Sequence, residues 1–226
     1  MRSVFSTTLN QGFAFQRSLI GKKFIVAVTG FVGAVYVLAH MLGNLQVFLG
    51  PQTLNAYAVL LKSNHELLWG ARLILLAAVT AHIVASYQLA RISHRARRIR
   101  YELWRPAGST YASRTMRWSG PVVGVFIVYH LLHLTTGTLH PDFRPGDVYH
   151  NVITGFHVWY VTLFYVFAMA ALGLHLYHGT WSMFQSSGLD HPKYNRWMRK
   201  TATVLTTITI LGFVSIPIAV FFGFLR

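Results

Sequence analysis

The chain has 226 residues, of which 54% are hydrophobic and only 11% are charged, and its formal net charge is +15. Soluble domains carry about 25% charged residues, so this composition excludes an ordinary soluble protein. The basic residues lie between long uncharged stretches instead of covering one solvated surface, which argues against a nucleic-acid-binding protein. The sequence therefore predicts an integral membrane protein.

Five apolar stretches are long enough to cross a membrane as helices, which takes about 20 residues each. They cover residues 24–48, 68–91, 119–139, 154–183 and 202–225, to within a few residues, and are numbered here as spans one to five. The polar and aromatic stretch 1–20 is expected to lie along the membrane surface. No remaining segment is long enough to form a soluble domain, so we predict one all-α membrane domain over residues 1–226.

The distribution of Lys and Arg predicts the orientation of the spans. Sixteen of the twenty Lys and Arg residues precede span one, join spans two and three, or join spans four and five. The N-terminus is therefore expected in the cytoplasm and the C-terminus outside. The most basic loop, residues 92–118, is open to two interpretations that can hold together. It is a solvated loop that touches anionic lipids, or a docking face for a soluble partner.

Histidine is the main candidate for chemistry within the spans. The absence of cysteine excludes iron–sulfur clusters, thiolate metal sites and covalently attached c-type haem. Seven of the twelve histidines lie within or at the edges of the spans: His40, His82, His130, His133, His157, His175 and His178. An unpaired ionisable group in hydrocarbon costs several kcal/mol, so such residues mark functional sites. Spans one to four each supply a histidine, which predicts two haem groups, each held by two imidazoles. Hydrogen bonding between helices is the alternative.

The depth of each histidine in its span predicts how the ligands pair. With a helical rise of about 1.5 Å per residue, His40 and His130 lie outward of the midpoints of their spans. His82 and His175 lie toward the cytoplasm. Spans one and three are therefore expected to supply an outer pair, and spans two and four an inner pair.

Spans three and four each carry a second histidine one turn from the first, which leaves the ligand choice open. Depth alone mildly favours His133 over His130 as the partner of His40, and it favours His175 over His178. The spare histidines His133 and His178 are candidates for contacts to a haem propionate, to a quinone or to a neighbouring helix.

Short motifs surround the four main candidates. These motifs are Thr29-Gly30 ten residues before His40, Ala81-His82, Arg117-Trp118-Ser119-Gly120 leading to Tyr129-His130, and His175 followed by Gly179 and Trp181-Ser182. In this order they resemble the cytochrome b subunit of succinate:quinone oxidoreductases, in the single-subunit, five-helix, two-haem group. The resemblance covers nearly the whole chain and favours His130 over His133 as a ligand.

The resemblance implies a membrane anchor for two soluble subunits on the cytoplasmic side of the bacterial cytoplasmic membrane. A flavoprotein would interconvert succinate and fumarate, and an iron–sulfur protein would pass electrons to the inner haem. Electrons would continue through the outer haem to menaquinone or another quinone. The subunit itself is expected to carry no succinate chemistry, and the whole complex can form a higher oligomer.

The resemblance also suggests roles for residues at the membrane edges. Lys22, Lys23 and Arg117 are candidate partners of haem propionates, although basic residues there also set the topology. Glu66, beside the outer end of span two, is a candidate proton donor or acceptor for a quinone, or a carboxylate favoured by a helix dipole. Gly173 stands where some two-haem fumarate reductases carry a glutamate, which favours succinate oxidation.

Two other classes of protein remain as alternatives. The first is the di-haem cytochrome b of another system, such as a hydrogenase, a formate dehydrogenase or a transmembrane ascorbate-type electron carrier. The second is a haem-free anchor whose histidines only join helices.

Overall fold

A computed structural model describes residues 15, 18–96, 110–186, 188 and 191–226. Within these ranges the chain is helical and contains no strand. The α-helices are α1 (Leu19–Asn44), α2 (Pro51–Ser63), α3 (His65–Arg95), α4 (Tyr111–His130), α5 (Val148–His157), α6 (Trp159–Ser186) and α7 (Pro192–Phe221). Five of them, α1, α3, α4, α6 and α7, are long and apolar enough to cross a membrane, which confirms the all-α fold with five spans. Nearly all of the predicted surface stretch 1–20, and residues 97–109 of the basic loop, lie outside the described residues.

The helices begin and end at residues that hydropathy alone does not identify. Helix α4 begins at Tyr111, well before the predicted start at 119, because the Thr110 side chain accepts a hydrogen bond from the backbone N–H of Ser113. Helix α7 begins at Pro192, before the predicted 202. The predicted fourth span, 154–183, is divided at Val158, where the backbone is extended, so its first four residues form the end of the separate helix α5.

Helix α6 lies at the centre of the bundle and packs against α1, α4 and α7, and α1 also packs against α3. In the part of the chain that the structure describes, α3 and α4 do not pack along each other. The bundle is therefore less closely packed on the side between α3 and α4. Large apolar side chains on the outward faces of the five long helices are exposed, as contact with lipid requires.

The two ends of the bundle differ. At one end, here called the cap end, α2 and α5 cover the long helices and bury a core that includes Leu54, Phe156 and Val220. The opposite end, here called the basic end, carries most of the described Lys and Arg residues at the termini of α1, α3, α4 and α7. The predicted orientation corresponds to a basic end in the cytoplasm.

Asn55 joins α2 to the start of α5 at the cap end. Its amide nitrogen donates to a carboxylate oxygen of Asp147 at 2.9 Å, and its amide oxygen accepts from the backbone N–H of Tyr149 at 3.0 Å. The same Asp147 oxygen caps α5 by accepting from the backbone N–H of His150 at 3.0 Å. This N–H, followed by the Asn55 amide, holds the pKa of Asp147 below its ordinary value.

Candidate functional site

His82 of α3 and His175 of α6 form a pair in the half of the bundle near the basic end. Their ring centroids are 6.1 Å apart. The Thr29 hydroxyl lies 2.6 Å from the Ile25 carbonyl and 3.1 Å from Nδ1 of His82. When the hydroxyl donates over the shorter distance to the carbonyl, it accepts from Nδ1–H of His82. In that arrangement the proton of His82 is on Nδ1 and the lone pair of Nε2 is free to bind a metal.

His40 of α1 and His130 of α4 form a second pair nearer the cap end, with ring centroids 5.8 Å apart. Nδ1 of His130 lies 3.3 Å from the Tyr165 hydroxyl. The ring of His40 stacks on Tyr36, and its Nε2 accepts from the side-chain amide of Asn44 at 3.2 Å. A metal bound by Nε2 of His40 would have to displace that amide.

The separation within each pair matches the separation of two imidazoles on one metal ion. A metal–nitrogen bond is about 2 Å and a ring nitrogen lies about 1.2 Å from its ring centroid, so two rings on opposite sides of an ion have centroids about 6 Å apart. In the described ranges no three His, Asp or Glu side chains converge as metal ligands. A metal at either pair would need further ligands, which a porphyrin ring supplies.

Glycines border the pair near the basic end. A Cβ on Gly30 would lie 3.3 Å from Cε1 of His82, and one on Gly120 would lie 3.8 Å from Cε1 of His175. Nδ1 of His175 is buried without a hydrogen-bond partner within the described residues. Bare backbone beside both rings, a free Nε2 on His82 and the loose packing between α3 and α4 fit a flat group held by two imidazoles.

The second histidine of α4 faces away from His40. The helix widens into a π turn, Leu131–Thr135, directly after His130, and such turns are frequent at functional sites. His133 is fully buried, stacks on His140 and lies with Nδ1 3.0 Å from the Tyr165 hydroxyl. The depth argument favoured His133, whereas it is the ring of His130 that contacts His40.

His178 and His157, the other intramembrane candidates, belong to neither pair. His178 is one turn beyond His175, with its ring 6.4 Å from Trp181 and its Nδ1 buried without a partner in the described part of the chain. His157 is exposed at the end of α5.

The residues predicted at the membrane edges divide between the two ends. Half-buried Lys22, exposed Lys23 and exposed Arg117 lie at the basic end, the end nearer His82 and His175. Glu66 is exposed in the first turn of α3 at the opposite end, the end nearer His40 and His130.

Two features of the site were missed from the sequence. Tyr165, which contacts both His130 and His133, is separated from them by more than thirty residues, so no spacing on one helix indicates it. His140 lies in the loop after α4, where its Nε2–H donates to the Asn151 carbonyl at 2.8 Å. Its position outside the spans gave no signal of contact with His133.

A separate cavity of about 380 Å³ opens between α6 and α7. It is lined by Ala170, Gly173, Leu174, Tyr177, Thr203, Thr206, Thr207, Ile210 and Leu211. Neither histidine pair contributes to it.

Comparison with known protein families matches residues 91–216 to the family described as the succinate dehydrogenase/fumarate reductase transmembrane subunit. The matched segment is more than half of the chain and includes His130 and His175, and it begins after His40 and His82. No curated protein and no solved structure matches the chain.

Proposed function

We propose, from the premise that this chain belongs to the succinate dehydrogenase/fumarate reductase transmembrane subunit family, that it is a di-haem cytochrome b. Membership itself makes the chain a membrane-anchor subunit of an enzyme complex that contains the other succinate dehydrogenase subunits. The proposal adds that the anchor carries electrons from the iron–sulfur subunit to a quinone.

The observation that supports the proposal most is the presence of two histidine pairs at different depths. His82 and His175 are 6.1 Å apart near the basic end, and His40 and His130 are 5.8 Å apart nearer the cap end. Each pair joins two different long helices, and each separation suits one ion between two imidazoles.

The four histidines would hold two b-type haems, an inner one at the basic end and an outer one nearer the cap end. Bound haem supplies reversible one-electron transfer, with a potential set by its axial ligands and by burial. The chain supplies the ligands, orients His82 through Thr29, and keeps bare backbone at Gly30 and Gly120.

The remaining parts of the proposal concern the two ends of the bundle. The basic end would face the cytoplasm of a bacterium and bind the flavoprotein and iron–sulfur subunits, with Lys22, Lys23 and Arg117 available to propionates. A quinone, menaquinone in our interpretation, would react near the outer haem with Glu66 as its proton donor or acceptor. The physiological reaction would be succinate oxidation.

A haem-free anchor is the second candidate, and one observation favours it. Nε2 of His40 is already engaged by the Asn44 amide, as expected for a histidine that only forms hydrogen bonds. A reduced-minus-oxidised spectrum separates the two candidates, because an anchor without haem has no α-band.

Haem stoichiometry of the purified complex tests the proposal. The wild type is expected to hold two haems, and His40→Ala, His82→Ala, His130→Ala and His175→Ala should each lose one or both. His157→Ala, which alters an exposed histidine outside both pairs, is the matched control and should keep two. If His133→Ala loses the outer haem while His130→Ala keeps it, the ligand from α4 is wrongly assigned.

Copurification with a flavoprotein tests the partner assignment.

A further inference from the structure

The hydroxyl of Tyr165 lies between two imidazoles, that of His130 at the end of α4 and that of His133 in the π turn that follows. It is 3.3 Å from Nδ1 of His130 and 3.0 Å from Nδ1 of His133. Tyr165 is 5% exposed and His133 is fully buried, so water does not reach this contact freely. The three groups must therefore satisfy most of their hydrogen bonds with one another.

The number of protons restricts how these bonds run. A hydroxyl has one proton, so it donates to one imidazole at most, while its oxygen can accept from another. A buried O–H without an acceptor costs about 1–3 kcal/mol. The shorter contact, to Nδ1 of His133 at 3.0 Å, suits donation by the hydroxyl, and the longer one, to Nδ1 of His130 at 3.3 Å, suits donation by the imidazole. Nε2 of His133 is then a buried N–H without a partner within the described residues.

We propose that Tyr165, oriented by His133, is a positioning residue that keeps His130 in the tautomer with its proton on Nδ1. The hydroxyl donates to His133 and accepts from His130, which leaves the lone pair of His130 Nε2 free. This inference rests on the proposed function, since a free Nε2 matters only if His130 binds iron. Thr29 has the corresponding role for His82, where the Ile25 carbonyl takes the hydroxyl proton.

The hydrogen bond also affects the potential of the outer haem. An imidazole that donates Nδ1–H to an acceptor becomes a more electron-rich ligand, which stabilises ferric over ferrous iron and lowers the midpoint potential. Tyr165→Phe removes the acceptor and keeps the ring, so the outer haem should remain bound with a higher midpoint potential.

Potentiometric titration of the intact complex, followed at the α-bands of both haems, tests this effect. Tyr165→Phe should shift the outer haem upward and leave the inner haem unchanged. Tyr129→Phe, which removes a hydroxyl beside the same rings, is the matched control and should shift neither, because Tyr129 contacts His133 and Tyr165 through its ring. An unchanged outer potential in Tyr165→Phe would overturn the inference.

A second set of variants tests the direction of the hydrogen bonds. In His133→Phe the hydroxyl proton of Tyr165 has no acceptor except Nδ1 of His130. Donation to that nitrogen favours the His130 tautomer that carries its proton on Nε2 and therefore cannot bind iron through Nε2. Affinity for the outer haem, measured by haem titration, should fall by about tenfold or more. The double variant His133→Phe/Tyr165→Phe has no hydroxyl proton and should recover the affinity of Tyr165→Phe. Failure of this recovery would overturn the role of His133.

The inner haem serves as the internal control in both experiments, because a variant that misfolds would lose it as well. A wild type without any haem would refute the proposed function. A wild type with two haems, whose outer potential does not respond to Tyr165→Phe, would refute this inference alone.

Discussion

Gly30 of α1 faces the ring of His82 on α3 so closely that a Cβ in place of its hydrogen would lie 3.3 Å from Cε1 and 3.6 Å from Nδ1. The preceding residue, Thr29, holds the same ring at Nδ1. Two consecutive residues of α1 therefore fix one imidazole, Gly30 by leaving space for it and Thr29 by orienting it. This gives the Thr-Gly motif of the sequence a physical function.

Enlarging Gly30 should displace His82. Gly30→Ala requires the ring to move by a few tenths of an ångström and should weaken binding of the inner haem, and Gly30→Leu should abolish it. Gly70→Ala and Gly70→Leu are the controls, because a Cβ on Gly70 of α3 meets nothing within 4 Å. The Gly70→Ala control also measures the effect of the gain in helix propensity, about 0.5–1 kcal/mol, when Ala replaces a helical Gly. Inner-haem content that responds equally at both positions would contradict the prediction.

Removing the hydroxyl of Thr29 should change the potential of one haem. In Thr29→Val the Nδ1–H of His82 loses the hydroxyl as an acceptor and keeps the Val26 carbonyl. The imidazole should become less electron-rich, and the midpoint potential of the inner haem should rise. Thr203→Val is the matched control, since the Thr203 hydroxyl likewise donates to the carbonyl four residues earlier, at Arg199. A redox titration that finds both haems unchanged in Thr29→Val would show that this bond does not tune the iron.

The number of membrane-spanning helices followed from hydropathy because five uncharged stretches of about 20 residues have few other stable structures in lipid. The two shorter helices, α2 and α5, did not. The ends of the helices did not, since they depend on polar side chains such as Thr110, which caps a turn that hydropathy excludes. The division of the fourth span at Val158 also escaped prediction. The apolar sequence continues through Val158 without a break, so hydropathy gives no sign that α5 ends there; the end is seen only in the extended backbone of Val158.

The proximity of His40 to His130 and of His82 to His175 agrees with the outer and inner pairs predicted from depth. The choice between His130 and His133 did not follow from depth, because the prediction assumed a regular α-helix. The π turn after His130 changes which face each ring occupies. Whether these rings bind haem stays a prediction.

Glu66 should matter for quinone chemistry and for nothing else. Glu66→Gln keeps the shape and removes the proton-transferring carboxyl, so quinone reduction should fall by about 100-fold, within the range for a lost general acid or base. Haem content and electron transfer from succinate to a water-soluble acceptor should stay at wild-type values. Asp142→Asn, at another exposed acid of the cap end, is the control. Full quinone reductase activity in Glu66→Gln would show that Glu66 takes no part in quinone chemistry and only interacts favourably with the dipole of α3.

Acid should loosen the cap end through Asp147. Because its folded-state pKa is below the ordinary value, the carboxylate stabilises the fold above its unfolded pKa of about 4 and loses that contribution as the pH falls through the folded pKa. The protection factors of the Tyr149 and His150 backbone N–H groups, which correct hydrogen exchange for its intrinsic pH dependence, should therefore fall below about pH 4. Asp147→Ala should show fast exchange already at pH 7, with about 0.5–2 kcal/mol less local stability. Asp142→Ala loses the exposed contacts of that carboxylate with Arg144 and with the His150 side chain, and it should change the exchange of the Tyr149 N–H little.

Gly155 should control the outer haem through His133. A Cβ on Gly155 would lie 2.8 Å from Cε1 of the buried His133 ring, 3.1 Å from its Nε2 and 3.1 Å from Nε2 of His140. In Gly155→Ala these rings must therefore shift, which we expect to weaken the contact of His133 with the Tyr165 hydroxyl. The freed hydroxyl proton then competes for Nδ1 of His130, and affinity for the outer haem should fall by about tenfold. Adding Tyr165→Phe should reverse the loss, because the competing proton is gone. If the double variant binds the outer haem as weakly as Gly155→Ala, the loss comes from distortion of the helix backbone instead of from the tautomer of His130.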